Sequence, residues 1–136
     1  MSDRAGARVG VAIVTHGDYG RAMLEAVRGL VGAHTLEAFD SIVIAPDEPR
    51  QVMAARIREA VGRLDRGAGV LILCDLYGST PWSCCMEVGQ GAVVLCGVSL
   101  PMLVKLASID LGGTTPEHLS QVAALTAQKA IKMGAP

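Results

Sequence analysis

A histidine and an aspartate end two separate apolar segments and could together form a phosphate-accepting pair. His16 follows the β-branched run at 9–15 and precedes Gly17, and Asp75 closes the apolar run that begins at Gly69. One imidazole nitrogen is free to act as a nucleophile when a carboxylate accepts a hydrogen bond from the other, which fixes the tautomer. Gly17 leaves room for a phosphate beside the ring. The pattern predicts that His16 accepts a phosphoryl group and that Asp75 orients it.

The loop that follows the aspartate offers further groups to an anion. It runs from Tyr77 to Pro81, and its hydroxyls belong to Ser79 and Thr80. Gly78 permits a turn in which successive backbone N–H groups point at phosphate oxygens. The helix expected after Gly17 adds the free N–H groups of its first turn, which also bind anions. We therefore predict phosphate contacts from four residues, Gly17, Gly78, Ser79 and Thr80.

The alternative is that these residues are structural. An aspartate after a strand can stabilise a turn or cap a helix, and this interpretation stays open for Asp75. A histidine in polar surroundings needs no role, and we interpret His34 and His118 in this way. His16 differs because it lies at a strand end before a glycine, where functional loops begin.

Motifs of other protein classes are missing from the sequence. There is no G-x-x-x-x-G-K-[ST] loop and no G-x-G-x-x-G turn after the first strand, which disfavours nucleotide binding. The first strand lacks the acidic pair that would hold Mg²⁺ beside a phosphate-accepting aspartate. The loop at 77–81 lacks the G-x-S-x-G elbow of serine hydrolases. The cysteines at 74, 84, 85 and 96 lack C-x-x-C spacing, and we expect them to be structural and not zinc ligands.

Composition indicates the protein class. The 136 residues are 51% hydrophobic, 18% charged and 3% aromatic, which predicts one domain over 1–136 with an aliphatic core. The net charge of −1 and the absence of basic clusters argue against a nucleic-acid surface. No apolar stretch reaches the roughly 20 residues of a membrane span. The N-terminal residues lack the apolar region of a signal peptide, so we expect a cytoplasmic protein.

The elements that must position the pair alternate between strands and helices. We predict strands at 9–15, 39–44, 69–75 and 92–96 and helices at 21–31, 48–64, 82–88, 100–108 and 116–133. This alternation indicates an α/β fold with a parallel sheet and helices on both faces. If the strand order is 2-1-3-4, the first and third strands are neighbours where the order reverses. His16 and Asp75 then project into one crevice, a step that depends on the assumed order.

Three segments, at 13–17, 71–81 and 97–103, match a known family in order and spacing. They resemble the mannose/fructose-type enzyme IIA of the phosphoenolpyruvate-dependent sugar phosphotransferase system (PTS). The resemblance implies a doubly wound, mainly parallel α/β sheet, usually in a homodimer that exchanges an antiparallel edge strand. It places the phosphohistidine at His16, the orienting aspartate at Asp75 and a phosphate-contacting hydroxyl at Thr80.

The resemblance also implies partners. Phosphate would arrive from phosphorylated HPr and leave for a histidine of a matching IIB component, without a metal or organic cofactor. Contact with a membrane would be indirect, through the transporter complex. Two alternatives stay open: a regulatory module that signals through the phosphorylation state of His16, and the phosphotransfer subunit of a dihydroxyacetone kinase. The chain departs from the family at Ser83 and Ser99, where asparagine is usual, so we expect different dimer contacts or loop geometry there.

Overall fold

Four parallel strands form one sheet in the computed structural model, which describes residues 7–136 apart from the side chains at 33 and 34. The prediction for His34 therefore lies outside the described residues. The strands are β1 (Gly10–His16), β2 (Phe39–Ile44), β3 (Val70–Cys74) and β4 (Ala92–Cys96). Their order is β2-β1-β3-β4 and every neighbouring pair is parallel, which confirms the predicted order and fold class.

The two central strands form the buried middle of the molecule. Every residue of β1 except His16 is buried, and so is every residue of β3. Such continuous apolar runs are typical of strands covered on both faces, because successive side chains point to opposite sides. The chain leaves β1 toward one edge of the sheet and β3 toward the other. Their carboxyl ends therefore border the crevice in which open α/β sheets place ligands.

Five helices cover the two faces. They are α1 (Tyr19–Val31), α2 (Arg50–Leu64), α3 (Thr80–Met86), α4 (Leu100–Ser108) and α5 (Pro116–Ala130), and a one-turn 3₁₀ helix spans Ala33–Leu36. Leu24 of α1, Leu103 of α4 and Leu119 of α5 share one hydrophobic cluster with strand residues. Met53 of α2 and Cys84 of α3 belong to a second cluster, on the opposite face. The predicted helices on both faces are confirmed.

Five predicted helix boundaries are wrong. The first helix begins at Tyr19 and not at 21, the second begins at Arg50 and not at 48, and the third ends at Met86 and not at 88. The other two are the start of the third helix and the end of the last one. The third helix begins at Thr80 and not at Trp82, because the Ser79 side chain caps it and Pro81 is accommodated in its first turn. The last helix ends at Ala130 and not at 133. Beyond it, Ile131 and Met133 are 85% and 98% exposed, so no packing favours a further helical turn.

The sheet has an open edge at β4. All five residues of β4 are half-buried, and no strand within 7–136 pairs with its outer side. Within residues 7–136, the antiparallel contacts are two isolated bridges, Arg8 with Gly112 and Gly17 with Ile44. The expected antiparallel edge strand is therefore not formed by the described residues. Because an exchanged strand requires a second chain, it stays a prediction.

No helix within residues 7–136 combines the length and the hydrophobicity that crossing a bilayer requires.

Candidate functional site

The turn between β1 and α1 places the histidine. Thr15 is buried, and its hydroxyl donates to the Gly17 carbonyl at 3.0 Å and accepts from the Gly20 N–H at 3.2 Å. Gly17 adopts a φ of 72°, a conformation that favours glycine. A Cβ at Gly20 would lie 2.8 Å from Thr15 Oγ1, so only glycine lets the first turn of α1 lie this close to the strand. His16 is therefore fixed at the rim of the sheet.

His16 and Asp75 form a close pair, as predicted. The Asp75 carboxylate accepts the His16 backbone N–H at 2.9 Å, and His16 Nδ1 lies 3.0 Å and 3.1 Å from its two oxygens. An ionised carboxylate only accepts hydrogen bonds, so in the neutral imidazole the ring proton lies on Nδ1 and Nε2 keeps its lone pair. The His16 side chain is 45% exposed and the Asp75 side chain 7%. The geometry presents a nucleophilic nitrogen to solvent above a shielded carboxylate.

Tyr19 is a member of this site that the sequence analysis missed. Its hydroxyl donates to Asp75 Oδ2 from the first residue of α1. Burial, followed by the hydrogen bond to Asp75, raises the pKa of Tyr19, so the hydroxyl stays a proton donor. The spacing of apolar residues predicts this helix from residue 21, which leaves Tyr19 in the turn before it, so no sequence signal joins Tyr19 to Asp75.

Asp75 stays ionised although it is shielded from water. Burial would raise the pKa of its carboxyl group. The hydrogen bonds from Tyr19 and from the backbone and ring of His16 outweigh that effect and hold the pKa below its ordinary value. At neutral pH a negative charge therefore lies against the Nδ1 side of the His16 ring.

The loop at 77–81 borders the same crevice. Gly78 has a φ of 81°, and the Ser79 hydroxyl donates to the Leu76 carbonyl at 2.7 Å and accepts the Trp82 N–H at 3.4 Å. Ser79 therefore shapes the loop and caps α3. Thr80 is exposed and lines a cavity of about 170 Å³ together with His16 and the β2–α2 loop. Of Ser79 and Thr80, only Thr80 lines this cavity with His16.

Gly17 shapes the turn between β1 and α1, but its backbone N–H is not free to donate to a phosphate. Its backbone N–H donates to the Ile44 carbonyl at 2.9 Å, so this N–H is already engaged. The other described histidine, His118, is exposed on α5, which agrees with its interpretation as a surface residue. Phosphate contacts of Gly17, Gly78, Ser79 and Thr80 stay predictions.

The four cysteines pack into or against the core. Cys74, Cys84 and Cys85 are buried, Cys96 is half-buried, and all four are free thiols. Cys74 is the nearest to the site, with Sγ 3.9 Å from Asp75 Oδ1. Burial in an apolar cluster is the usual environment of structural cysteines.

The two serines that replace the family's usual asparagines both have local partners. Ser83 Oγ accepts from Arg50 at 3.3 Å, and Arg50 also pairs with Glu87, so this contact joins α2 to α3. Ser99 Oγ caps α4 by accepting the Met102 N–H at 3.5 Å. Both contacts lie within one chain, and the effect of either serine on a dimer stays a prediction.

Comparison with known proteins identifies the family of this chain. A family model described as "PTS system fructose IIA component" matches residues 10–123. The "PTS system mannose-specific EIIAB component" of Escherichia coli strain K12 is 24% identical over 127 residues, which is 91% of this chain. The chain spans 39% of that relative's length.

Solved structures share the fold. The mannose/sorbose-specific IIA subunit of the phosphotransferase system from Enterococcus faecalis superposes with a TM-score of 0.82 at 17% identity, covering 96% of this chain and 97% of that one. The PTS IIA protein associated with the fucose utilization operon of Streptococcus pneumoniae has a TM-score of 0.77 at 21% identity, with 93% of each chain covered.

Proposed function

The chain belongs to the family of PTS fructose-type IIA components, and from this premise we propose that it is a phosphoryl carrier that accepts phosphate on His16. One observation supports the proposal most directly. Nδ1 of His16 is bound to a shielded carboxylate, while the half-exposed ring offers Nε2 to a partner. This arrangement suits a group that must be reached by two proteins in succession and must hold one tautomer in between.

The surrounding residues fit a phosphoryl group. Thr80 lines the cavity beside the ring, and its hydroxyl is the candidate hydrogen-bond donor to a phosphate oxygen. Gly78 has a φ of 81°, and a Cβ there would meet no atom within 4 Å, so the backbone conformation of the turn is what favours glycine at this position. We propose that Gly17, Gly78, Ser79 and Thr80 together shape the phosphate site, with Thr80 making the side-chain contact.

Asp75 promotes phosphoryl transfer to His16 by electrostatic stabilisation. When Nε2 bonds to phosphorus, the ring of His16 becomes positively charged because its Nδ1 proton stays in place. The Asp75 carboxylate lies against that proton and stabilises the charge as it develops. Transfer between two imidazoles needs positioning more than proton exchange, which is consistent with a site built from one pair and a loop.

We propose phosphorylated HPr as the donor, a histidine of a IIB component as the acceptor, and the cytoplasm as the place of both transfers. A homodimer is the proposed assembly, since the outer edge of β4 has no partner strand in the described chain. Two alternatives remain: a regulatory module that signals through the phosphorylation state of His16, and the phosphotransfer subunit of a dihydroxyacetone kinase. They are distinguished by the molecule that receives the phosphate from His16.

The proposal is tested by incubating the protein with phosphoenolpyruvate, enzyme I and HPr. We expect one acid-labile, base-stable phosphoryl group per chain. His16→Ala should abolish labelling, whereas His118→Ala, which alters an exposed histidine on α5, should be labelled like the wild type. Absence of label on the wild type with competent partners would refute the proposal. A chase with a IIB component then tests the destination, because label retained on His16 would favour a signalling role.

A further inference from the structure

The Asp75 carboxylate is held by donors from two different elements. The His16 backbone N–H, at the end of β1, reaches Oδ2 at 2.9 Å, and the Tyr19 hydroxyl reaches the same oxygen from the first residue of α1. His16 Nδ1 lies between the two carboxylate oxygens at 3.0 Å and 3.1 Å. The carboxylate is thus bound on one side by the ring that it must orient and on another by a phenol.

We infer that Tyr19 is a positioning residue for phosphoryl transfer, whose hydroxyl holds Asp75 in the orientation that accepts the Nδ1 proton of His16. This inference rests on the proposed function. It adds a third member to the pair and assigns it a role that acts through Asp75 and not through contact with phosphate.

The carboxylate needs such a donor because its terminal torsion is soft. The χ2 angle of aspartate is broadly distributed, so one hydrogen bond to Oδ2 does not fix the plane of the two oxygens. Without the phenol, both remaining strong donors to Asp75 would belong to His16 itself. Tyr19 supplies the one strong contact that is independent of the residue being oriented.

The transfer step shows where this orientation matters. In the step, the bond between phosphorus and the nitrogen of the donor protein's phosphohistidine breaks, and its electron pair returns to that ring. The lone pair of His16 Nε2 forms the new bond to phosphorus. Each ring keeps its other N–H, so no proton or electron is exchanged, and one positive charge moves from the donor ring to His16. Asp75 must face Nδ1 as an anion while that charge appears.

Tyr19 is suited to keep Asp75 ionised and facing Nδ1 of His16. Because burial and Asp75 raise the pKa of the phenol, it donates a hydrogen bond without releasing its proton to the carboxylate. The groups that face Asp75 are His16 from β1, Tyr19 from α1 and Cys74 from β3, the last with a weak contact of 3.9 Å. Of these, only Tyr19 can lose its donor without altering the nucleophile or the buried core.

Substitution of single hydroxyls provides the test. Tyr19→Phe removes the phenol oxygen and keeps the ring. Ser120→Ala is the control, since it removes a hydroxyl that donates to the Glu117 carbonyl within α5, outside the site. We expect Tyr19→Phe to lower the maximal rate of phosphate transfer from HPr roughly tenfold, the effect of one hydrogen bond to a charged group. The HPr concentration at half-maximal rate should not change, and Ser120→Ala should match the wild type.

A second measurement does not depend on phosphate transfer. Nitrogen NMR of the unphosphorylated protein should show the His16 proton on Nδ1 in the wild type and a weaker preference for that tautomer in Tyr19→Phe. The Asp75 carboxyl carbon should titrate at higher pH in the variant. If the wild type accepts no phosphate, the proposed function fails while this comparison still tests Tyr19. The inference would be overturned if wild type and Tyr19→Phe gave equal His16 ring signals and equal Asp75 titrations. It would also be overturned if Tyr19→Phe changed the HPr concentration at half-maximal rate and left the maximal rate unchanged.

Discussion

His16 and Asp75 are separated by 59 positions in the chain, yet Nδ1 of the first lies 3.0 Å from Oδ2 of the second. The contact follows from strand pairing, because Val14 of β1 is the register partner of Cys74, the last residue of β3. His16, two residues after Val14, ends β1, and Asp75 directly follows β3. The pair therefore depends on the sheet as a whole and not on a local turn. Its two side chains differ in exposure, 45% for the histidine and 7% for the aspartate.

Replacement of Asp75 by asparagine should slow the transfer without removing the acceptor. Asp75→Asn keeps the size of the side chain but removes the charge that stabilises the phosphorylated ring. We expect the rate of phosphate transfer to fall about 10- to 100-fold, the effect of one lost charged hydrogen bond. Rapid-quench labelling with phosphorylated HPr measures this rate. An unchanged rate would remove Asp75 from the mechanism.

The Asp75 carboxylate should also make the free energy of unfolding depend on pH in the acid range. The pKa of Asp75 is lower in the folded protein than its ordinary value of 3.8, so the unfolded chain binds its proton first as the pH falls. The stabilisation by Asp75 is thus complete above pH 3.8 and is lost as the pH falls through the lower, folded value. Urea unfolding should show wild type and Asp75→Asn converging in free energy of unfolding in acid. A constant difference from neutral pH to strong acid would contradict the assignment.

Two glycines of α1 should respond in opposite ways to alanine. A Cβ at Gly20 would lie 2.8 Å and 2.9 Å from side-chain atoms of Thr15, so Gly20→Ala must move the helix start. We expect it to lower the free energy of unfolding by about 1–3 kcal/mol. We also expect it to slow phosphate transfer, because Tyr19 moves with the helix.

Gly29→Ala is the control in the same helix. A Cβ at this exposed position meets no atom within 4 Å, so the substitution should raise the free energy of unfolding by about 0.5–1 kcal/mol and leave transfer unchanged. Chemical unfolding and the labelling assay measure both effects. Equal stability of the two variants would show that the close contact between α1 and β1 is not required.

The fold was largely predictable because its signals are local and repeated. An apolar run that stops before Pro46 located β2 to the residue, a run between Gly91 and Gly97 located β4, and Pro101 located the start of α4. Helix ends were harder, since Ser79 acts as a cap only in the folded loop. Helical spacing also does not measure burial. Leu30 and Val52 follow the spacing of buried helix residues but are 66% and 47% exposed, because a periodic pattern does not show how far the partner surface extends.

The pairing of His16 with Asp75 was predictable from the sequence, but the contact of Tyr19 with Asp75 was not. His16 and Asp75 could be joined because parallel strands end at the same edge, once the strand order was assumed. Tyr19 could not be assigned, since its contact depends on the close approach of α1 that Thr15 and Gly20 create. The engagement of the Gly17 N–H by Ile44 also depends on the pairing of β1 with β2.

The ring nitrogen that holds the phosphate tests the central claim most directly. The protein labelled with nitrogen-15 histidine is phosphorylated by phosphoenolpyruvate, enzyme I and HPr, and the coupling between phosphorus and nitrogen is then measured by NMR. Because Asp75 occupies the Nδ1 side of the ring, we predict phosphorus on Nε2 of His16 and a retained proton on Nδ1. Phosphorus on Nδ1, on another histidine or on no histidine would contradict the account.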